Sequence, residues 1–121
     1  MIDFMNITKA ISDKNRVRIV VALQNSPLCV CQLTSLLKLA PSTTSKHIKL
    51  LEQAKIIESI RKGKWVFYKI IDEKKNSLIG DLISLINKGS SKIDEIHEDK
   101  EVLNKILNEY CEVHHEFHGK L

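Results

Sequence analysis

Pro41-Ser42-Thr43-Thr44-Ser45-Lys46-His47-Ile48 is the stretch on which the reading of the fold turns. Ser42 or Thr43 is a suitable cap for a helix that runs to about Ala54, with Ile48, Leu51 and Ala54 facing inward. Lys38-Leu39-Ala40-Pro41 reads as the short turn before it. Upstream, Ser26 as cap and Pro27 at the first helical position predict another helix, since proline's missing donor is not needed there. Leu33, Leu36 and Leu37 would be its buried face. Two short helices joined by a turn of a few residues make a helix-turn-helix.

The hydroxyls and lysines at the start of the second helix suit a nucleic-acid reader. Ser42, Thr43, Thr44, Ser45, Lys46, His47 and Lys49 are the candidate DNA contacts there, able to reach phosphates and base edges in a major groove. Ile56 to Ile60 is strand-like, and Trp65 to Ile71 is aromatic and β-branched with alternation. Between them lies the basic turn Arg61-Lys62-Gly63-Lys64, with a glycine where positive φ is expected. This predicts a hairpin wing whose Arg61, Lys62 and Lys64 approach a neighbouring minor groove or the DNA backbone.

Two helices are expected before this core: Ile2 to Ala10, and a second capped by Ser12 or Asp13 that buries Val17, Val20, Val21 and Leu23. After the hairpin, Leu78, Ile79, Leu82, Ile83 and Ile86 repeat at helical spacing up to a break at Gly89-Ser90-Ser91. A last helical region carries Ile93, Ile96, Val102, Leu103, Ile106, Leu107 and Tyr110, with an interruption expected near Glu98-Asp99. The fold class is therefore mostly α with a β-hairpin, a winged helix-turn-helix over residues 1–111, followed by a flexible histidine-containing tail over 112–121. The helix over 78–86 has two apolar stripes and needs two partners, one of them a second subunit. A homodimer would set two recognition helices about one DNA turn apart, over a near-palindromic operator.

Charge agrees with this division. The 121 residues are 43% hydrophobic and 28% charged, with a net charge of +4. Residues 1–71 hold 12 Lys/Arg against 4 Asp/Glu, which is +8; residues 72–121 hold 7 against 11, which is −4. The first part suits a polyanion, and the second does not. No apolar run of membrane-spanning length and no leader at Met1 is visible, so a cytoplasmic protein without a membrane partner is expected. No glycine-rich phosphate loop, no HExxH and no paired acid/base motif appears, so an enzyme is not expected.

Leu28-Cys29-Val30-Cys31-Gln32-Leu33 places a thiol pair in the first helix of the helix-turn-helix. Three cysteines, two of them one residue apart, do not form a disulfide framework and are read as reduced thiols. On an ideal helix the two sulfurs would be ~200° apart. One ion held by both would therefore distort the first turn of the helix, and the recognition helix packed on it would feel the change. Cys111, His114, His115 and His118 sit at i, i+3, i+4 and i+7, a second set of donors whose plainer reading is a solvated tail. A thiol-redox switch linking Cys29 or Cys31 to Cys111 is the competing reading.

The chain resembles the ArsR/SmtB family of winged-helix metalloregulatory repressors over nearly its whole length. Ile11-Ser12-Asp13-Lys14-Asn15-Arg16-Val17-Arg18-Ile19 is similar to an early family segment, with Lys14 in place of the usual proline. Ser42 to Leu51 resembles the recognition helix, with Lys46 replacing the first of two histidines, and Gly63 to Tyr68 resembles the second wing strand. The resemblance implies a homodimer that represses a metal-resistance or efflux operon and needs no cofactor to bind DNA. Leu28 to Leu33 is similar to the metal-binding motif of the arsenic and cadmium/lead sensors. Where many arsenic sensors have a third cysteine this chain has Thr34, so Cys111 is the candidate third ligand beside Cys29 and Cys31. The implied effector is As(III) or Sb(III), with Cd, Pb or Zn as alternatives. Asp81-Leu82-Ile83 lacks the histidine of the family's interfacial zinc site.

Overall fold

In the computed structural model, residues 3–109 are described. Asp3 opens α1 (Phe4–Ala10), its carboxylate accepting from the Met5 amide. Asp13 caps α2 (Lys14–Leu23) by accepting from the amides of Asn15 and Arg16. A two-residue strand β1 (Leu28–Cys29) follows, then α3 (Val30–Leu37) and α4 (Pro41–Gln53). The hairpin is β2 (Ile57–Lys62) and β3 (Trp65–Ile70), and two helices close the described chain, α5 (Ile79–Ser90) and α6 (Asp94–Glu109). The winged helix-turn-helix expected from the sequence is present.

Several boundaries differ from the sequence reading, each for a physical reason. Pro27 does not start a helix. Leu28 and Cys29 instead pair antiparallel with Tyr68 and Phe67, so the sheet has the order β1-β3-β2. A strand edge forty residues away satisfies these backbone groups better than a first helical turn would. The cap of α4 is Ala40, with Pro41 as the first helical residue, rather than Ser42 or Thr43. α5 continues through Gly89 and Ser90, and α6 is unbroken across Glu98-Asp99. Asp99 is tolerated inside that helix because its carboxylate is paired, as described below.

The turn between α3 and α4 is made by Lys38 in the left-handed region, at φ 57°. Its amide closes back on the Thr34 carbonyl at 2.9 Å, ending α3 as a glycine would. At the hairpin tip Gly63 takes φ +59° at the first central position of a two-residue loop, flanked by the Lys62–Trp65 pair. One core joins α2, α3, α4, the base of the hairpin and the inner faces of α5 and α6, through residues such as Ile19, Leu33, Leu36, Ile48 and Leu51. A satellite cluster sits beside it: Cys29 and Phe67 are buried together, with Ile60 and Trp65 packed on them. The outer side is less complete. Phe4 and Met5 on α1 and Leu85 on α5 are 62%, 58% and 61% exposed.

Candidate nucleic-acid interface and thiol site

α4 presents its polar face because Thr44, Ile48 and Leu51, at i, i+4 and i+7, take the buried side. Ser42, Thr43, Ser45, Lys46 and Lys49 are exposed, and His47 is half-buried at the edge toward α2. Thr44 corrects the sequence reading. It is fully buried, and its hydroxyl donates to the Ala40 carbonyl at 3.3 Å, so it supports the helix start and is not displayed to a groove. At the hairpin tip Arg61 and Lys64 are exposed and Lys62 is half-buried. The Lys64 ammonium lies 5.8 Å from the centroid of the Trp65 ring, which holds the lysine stem at the tip. Among the described residues none of these cations is paired with a carboxylate.

The back of α4 is tied to α1 and α2 by Arg16. Its Nε donates to the Ala10 carbonyl at 2.6 Å and one terminal nitrogen to the Lys9 carbonyl at 3.3 Å. The other terminal nitrogen lies 3.1 Å from His47 Nδ1. A second arginine fastens α2 to α6. Arg18 and Asp99 form a two-pronged pair at 2.9 and 3.0 Å, each side chain only 12% exposed. The same guanidinium donates to the Leu36 carbonyl near the end of α3 and to Asn15 Oδ1. The hydrogen bonds to Asp99 hold Arg18 above its usual range against the opposing effect of burial. The sequence does not reveal these partners, because nothing local marks the contact of Arg16 with His47 on another helix or that of Arg18 with Asp99, 81 residues away.

The two thiols occupy different environments. Cys29 is the cap of α3, extended at ψ 169°, and its Sγ accepts from the Gln32 amide. Gln32 returns the contact, its Oε1 accepting from the Cys29 amide at 2.9 Å. Burial pushes the Cys29 thiol up, and the amide hydrogen bonds from Gln32 and Cys31 oppose that rise. Cys31 lies inside the first turn and is exposed. The ~200° argument thus does not hold, since Cys29 is not helical. Gln32 Nε2 and Thr34 Oγ1, both near the thiols in sequence, are buried without a hydrogen-bond partner among the described residues.

The described residues contain no group of three or more His, Cys, Asp or Glu side chains placed to hold a metal ion. Cys111, His114, His115 and His118 lie outside the described residues. His97 is exposed and lies against the Ser91 carbonyl. No described helix is long and apolar enough to cross a membrane.

Comparison with known proteins agrees with this geometry. Residues 13–59, from the cap of α2 into β2, match the family described as bacterial regulatory protein, arsR family. The chain is 35% identical over 79 residues to an arsenical resistance operon repressor of Bacillus subtilis, covering 64% of this chain and 75% of that one. It is 33% identical over 78 residues to a cadmium resistance transcriptional regulatory protein CadC homolog of Staphylococcus aureus, covering 64% of each. Among solved structures, HlyU from Vibrio cholerae superposes with a TM-score of 0.57 at 26% identity, over 68% of this chain and 89% of that one. With the Bacillus subtilis repressor matched over three quarters of its length, the chain belongs to the arsR family of bacterial transcriptional regulators.

Proposed function

We propose that this protein is a metal(loid)-responsive repressor. As a homodimer it binds operator DNA in the cytoplasm and leaves it when As(III) or Sb(III) is held by cysteine thiolates. The observation that carries this reading is the position of the thiol pair. Cys29 and Cys31 flank the start of α3, one helix and one turn before the exposed hydroxyls and lysines of α4. Ser42, Thr43, Ser45, Lys46, His47 and Lys49, with Arg61, Lys62 and Lys64 of the hairpin, are the proposed DNA contacts. Relatives named for arsenic and for cadmium support a thiolate-binding effector, and the donor set favours a soft ion. Cys111 is the proposed third ligand. Residues 1–111 would be the regulatory unit and 112–121 its tail.

One ion held by both sulfurs would join buried Cys29 to exposed Cys31 across the start of α3, where Cys29 and Gln32 cap each other. Cys29 is also bonded into the sheet opposite Phe67, in the strand that leads from the hairpin tip. Displacing it therefore acts on α3 and on the wing together. The apolar residues left open on α1 and α5 support the dimer: Phe4, Met5 and Leu85 are large, exposed side chains of the kind a second subunit covers.

A fluorescence-anisotropy titration of the operator complex with As(III), Sb(III), Cd(II), Pb(II) and Zn(II) tests this. As(III) is expected to release the wild type, while Cys29→Ser and Cys31→Ser still bind DNA but no longer respond, and Cys111→Ser responds weakly. Release by Cd(II) or Zn(II) with none by As(III) would overturn the effector. Loss of DNA binding in the two serine variants would overturn the sensing role of the pair.

A further inference from the structure

We infer that Arg16 is a positioning residue for DNA recognition, fixing which nitrogen of His47 carries the proton and so what the ring offers to DNA. The inference rests on the proposal that α4 reads an operator. His47 lies at the margin of the exposed face of α4, between exposed Lys46 and buried Ile48, and one turn from Thr43. Its Nδ1 is 3.1 Å from a terminal nitrogen of Arg16. A guanidinium has donors and no acceptor, so Nδ1 must accept, and the proton of the ring sits on Nε2. The two nitrogens lie on opposite flanks of the ring's Cε1. With Nδ1 turned in to α2, Nε2–H is the group left to donate outward to a phosphate oxygen or a base acceptor.

Arg16 is itself held firmly enough to impose this. Its other two nitrogens donate to the Lys9 and Ala10 carbonyls at the end of α1, at 3.3 and 2.6 Å. The Lys9 carbonyl also accepts from the Ser12 amide and hydroxyl, so Arg16 is held against an ordered helix end that leaves its guanidinium little freedom to turn. The arrangement also links α1 to the reading helix through one side chain. A purely structural Arg16 would need only the two carbonyls. The third donor, aimed at an imidazole on the reading helix, is what gives it a role in recognition.

The test uses the full chain and a 30-base-pair duplex that the wild type selects from a randomised library. Long-range 1H–15N NMR at pH 8 is expected to show His47 protonated on Nε2, and Arg16→Gln is expected to give a mixture of the two tautomers. His47→Gln keeps a donor at about the reach of Nε2 but has no acceptor in place of Nδ1, so it should bind the duplex more weakly than wild type, by about threefold, and adding Arg16→Gln to it should weaken binding no further. His47→Asn keeps an acceptor for Arg16 but has no distal donor, and should bind about tenfold more weakly at unchanged thermal stability. A His47 protonated on Nδ1, or a His47→Asn variant that binds as tightly as wild type, would overturn the inference while leaving operator binding intact. A wild type that selects no duplex would overturn the DNA-reading proposal and this inference with it.

Discussion

Lys14 and Arg18 of α2 each lie against a carboxylate of α6, Glu95 and Asp99, whereas Lys46, Lys49, Arg61 and Lys64 of α4 and the hairpin tip have no carboxylate partner among the described residues. Both sets carry the same charge, yet they do different work. A cation with a partner in the fold holds two elements together. A cation without one adds little to folding and stays available to an external polyanion. The excess positive charge of residues 1–71 is thus concentrated where DNA is proposed to lie, while the acidic last helix neutralises Lys14 and Arg18 of α2.

The comparison breaks most visibly at Asp99. Asp99→Ala leaves the Arg18 guanidinium nearly buried without its main partner and frees α6 from α2 and α3. Its expected cost is about 3 kcal/mol of stability, read by urea unfolding. A cost near zero would mean that the pair does not fasten the helices. The opposite side gives a smaller effect of another kind. Lys46→Ala or Arg61→Ala should leave unfolding unchanged within about 0.5 kcal/mol. Each should weaken DNA binding and lower the slope of log affinity against log salt by about one, checked by anisotropy across a salt series. Equal salt slopes for wild type and variants would remove these residues from the interface.

The smallest effect sharpens the boundary between the two sets. Glu58 on β2 accepts from Lys75 at 2.7 Å and lies 3.7 Å from Lys69, at the base of the hairpin and away from its tip. The hydrogen bond from Lys75 holds its carboxyl below the usual range, and Lys69 adds to this. A lowered carboxyl stabilises the fold above its unfolded pKa, about 4.3, and that contribution is lost as pH falls through the folded value. Because Lys75 is exposed, Glu58→Gln should cost under about 0.5 kcal/mol at pH 7 and less than that at pH 3, measured by thermal unfolding at both pH values. A larger loss at pH 3 than at pH 7 would reverse the sign and rule the pair out as the cause.

Much of the helix-turn-helix and its hairpin was legible because the signals are local. Asp13 as cap, the apolar spacing of α4, the glycine at the hairpin tip and the alternation of Trp65 to Ile71 each act within a few residues. The cap of α4 differs from Ser42 or Thr43 because Pro41, already fixed in φ, takes the first helical position and leaves Ala40 as the cap. Thr44 looked like its hydroxyl neighbours in sequence and was separated from them only by its turn toward Ile48 and Leu51.

The thiol stretch shows where local reading ends. Ser26-Pro27 is a fair helix start, yet Leu28 and Cys29 are extended because β3 offers them hydrogen bonds. That pairing decides that Cys29 is buried under Phe67 while Cys31, two residues on, is exposed. The sequence by itself determined the order of the helices and the hairpin, the basic face they carry and the presence of two thiols near it, since caps, periodicity and charge are properties of short windows. Only the tertiary structure decided that the thiols are unlike, that Arg16 reaches His47 and that Arg18 is locked to Asp99. Each of these depends on which distant donor meets which acceptor once the core has closed.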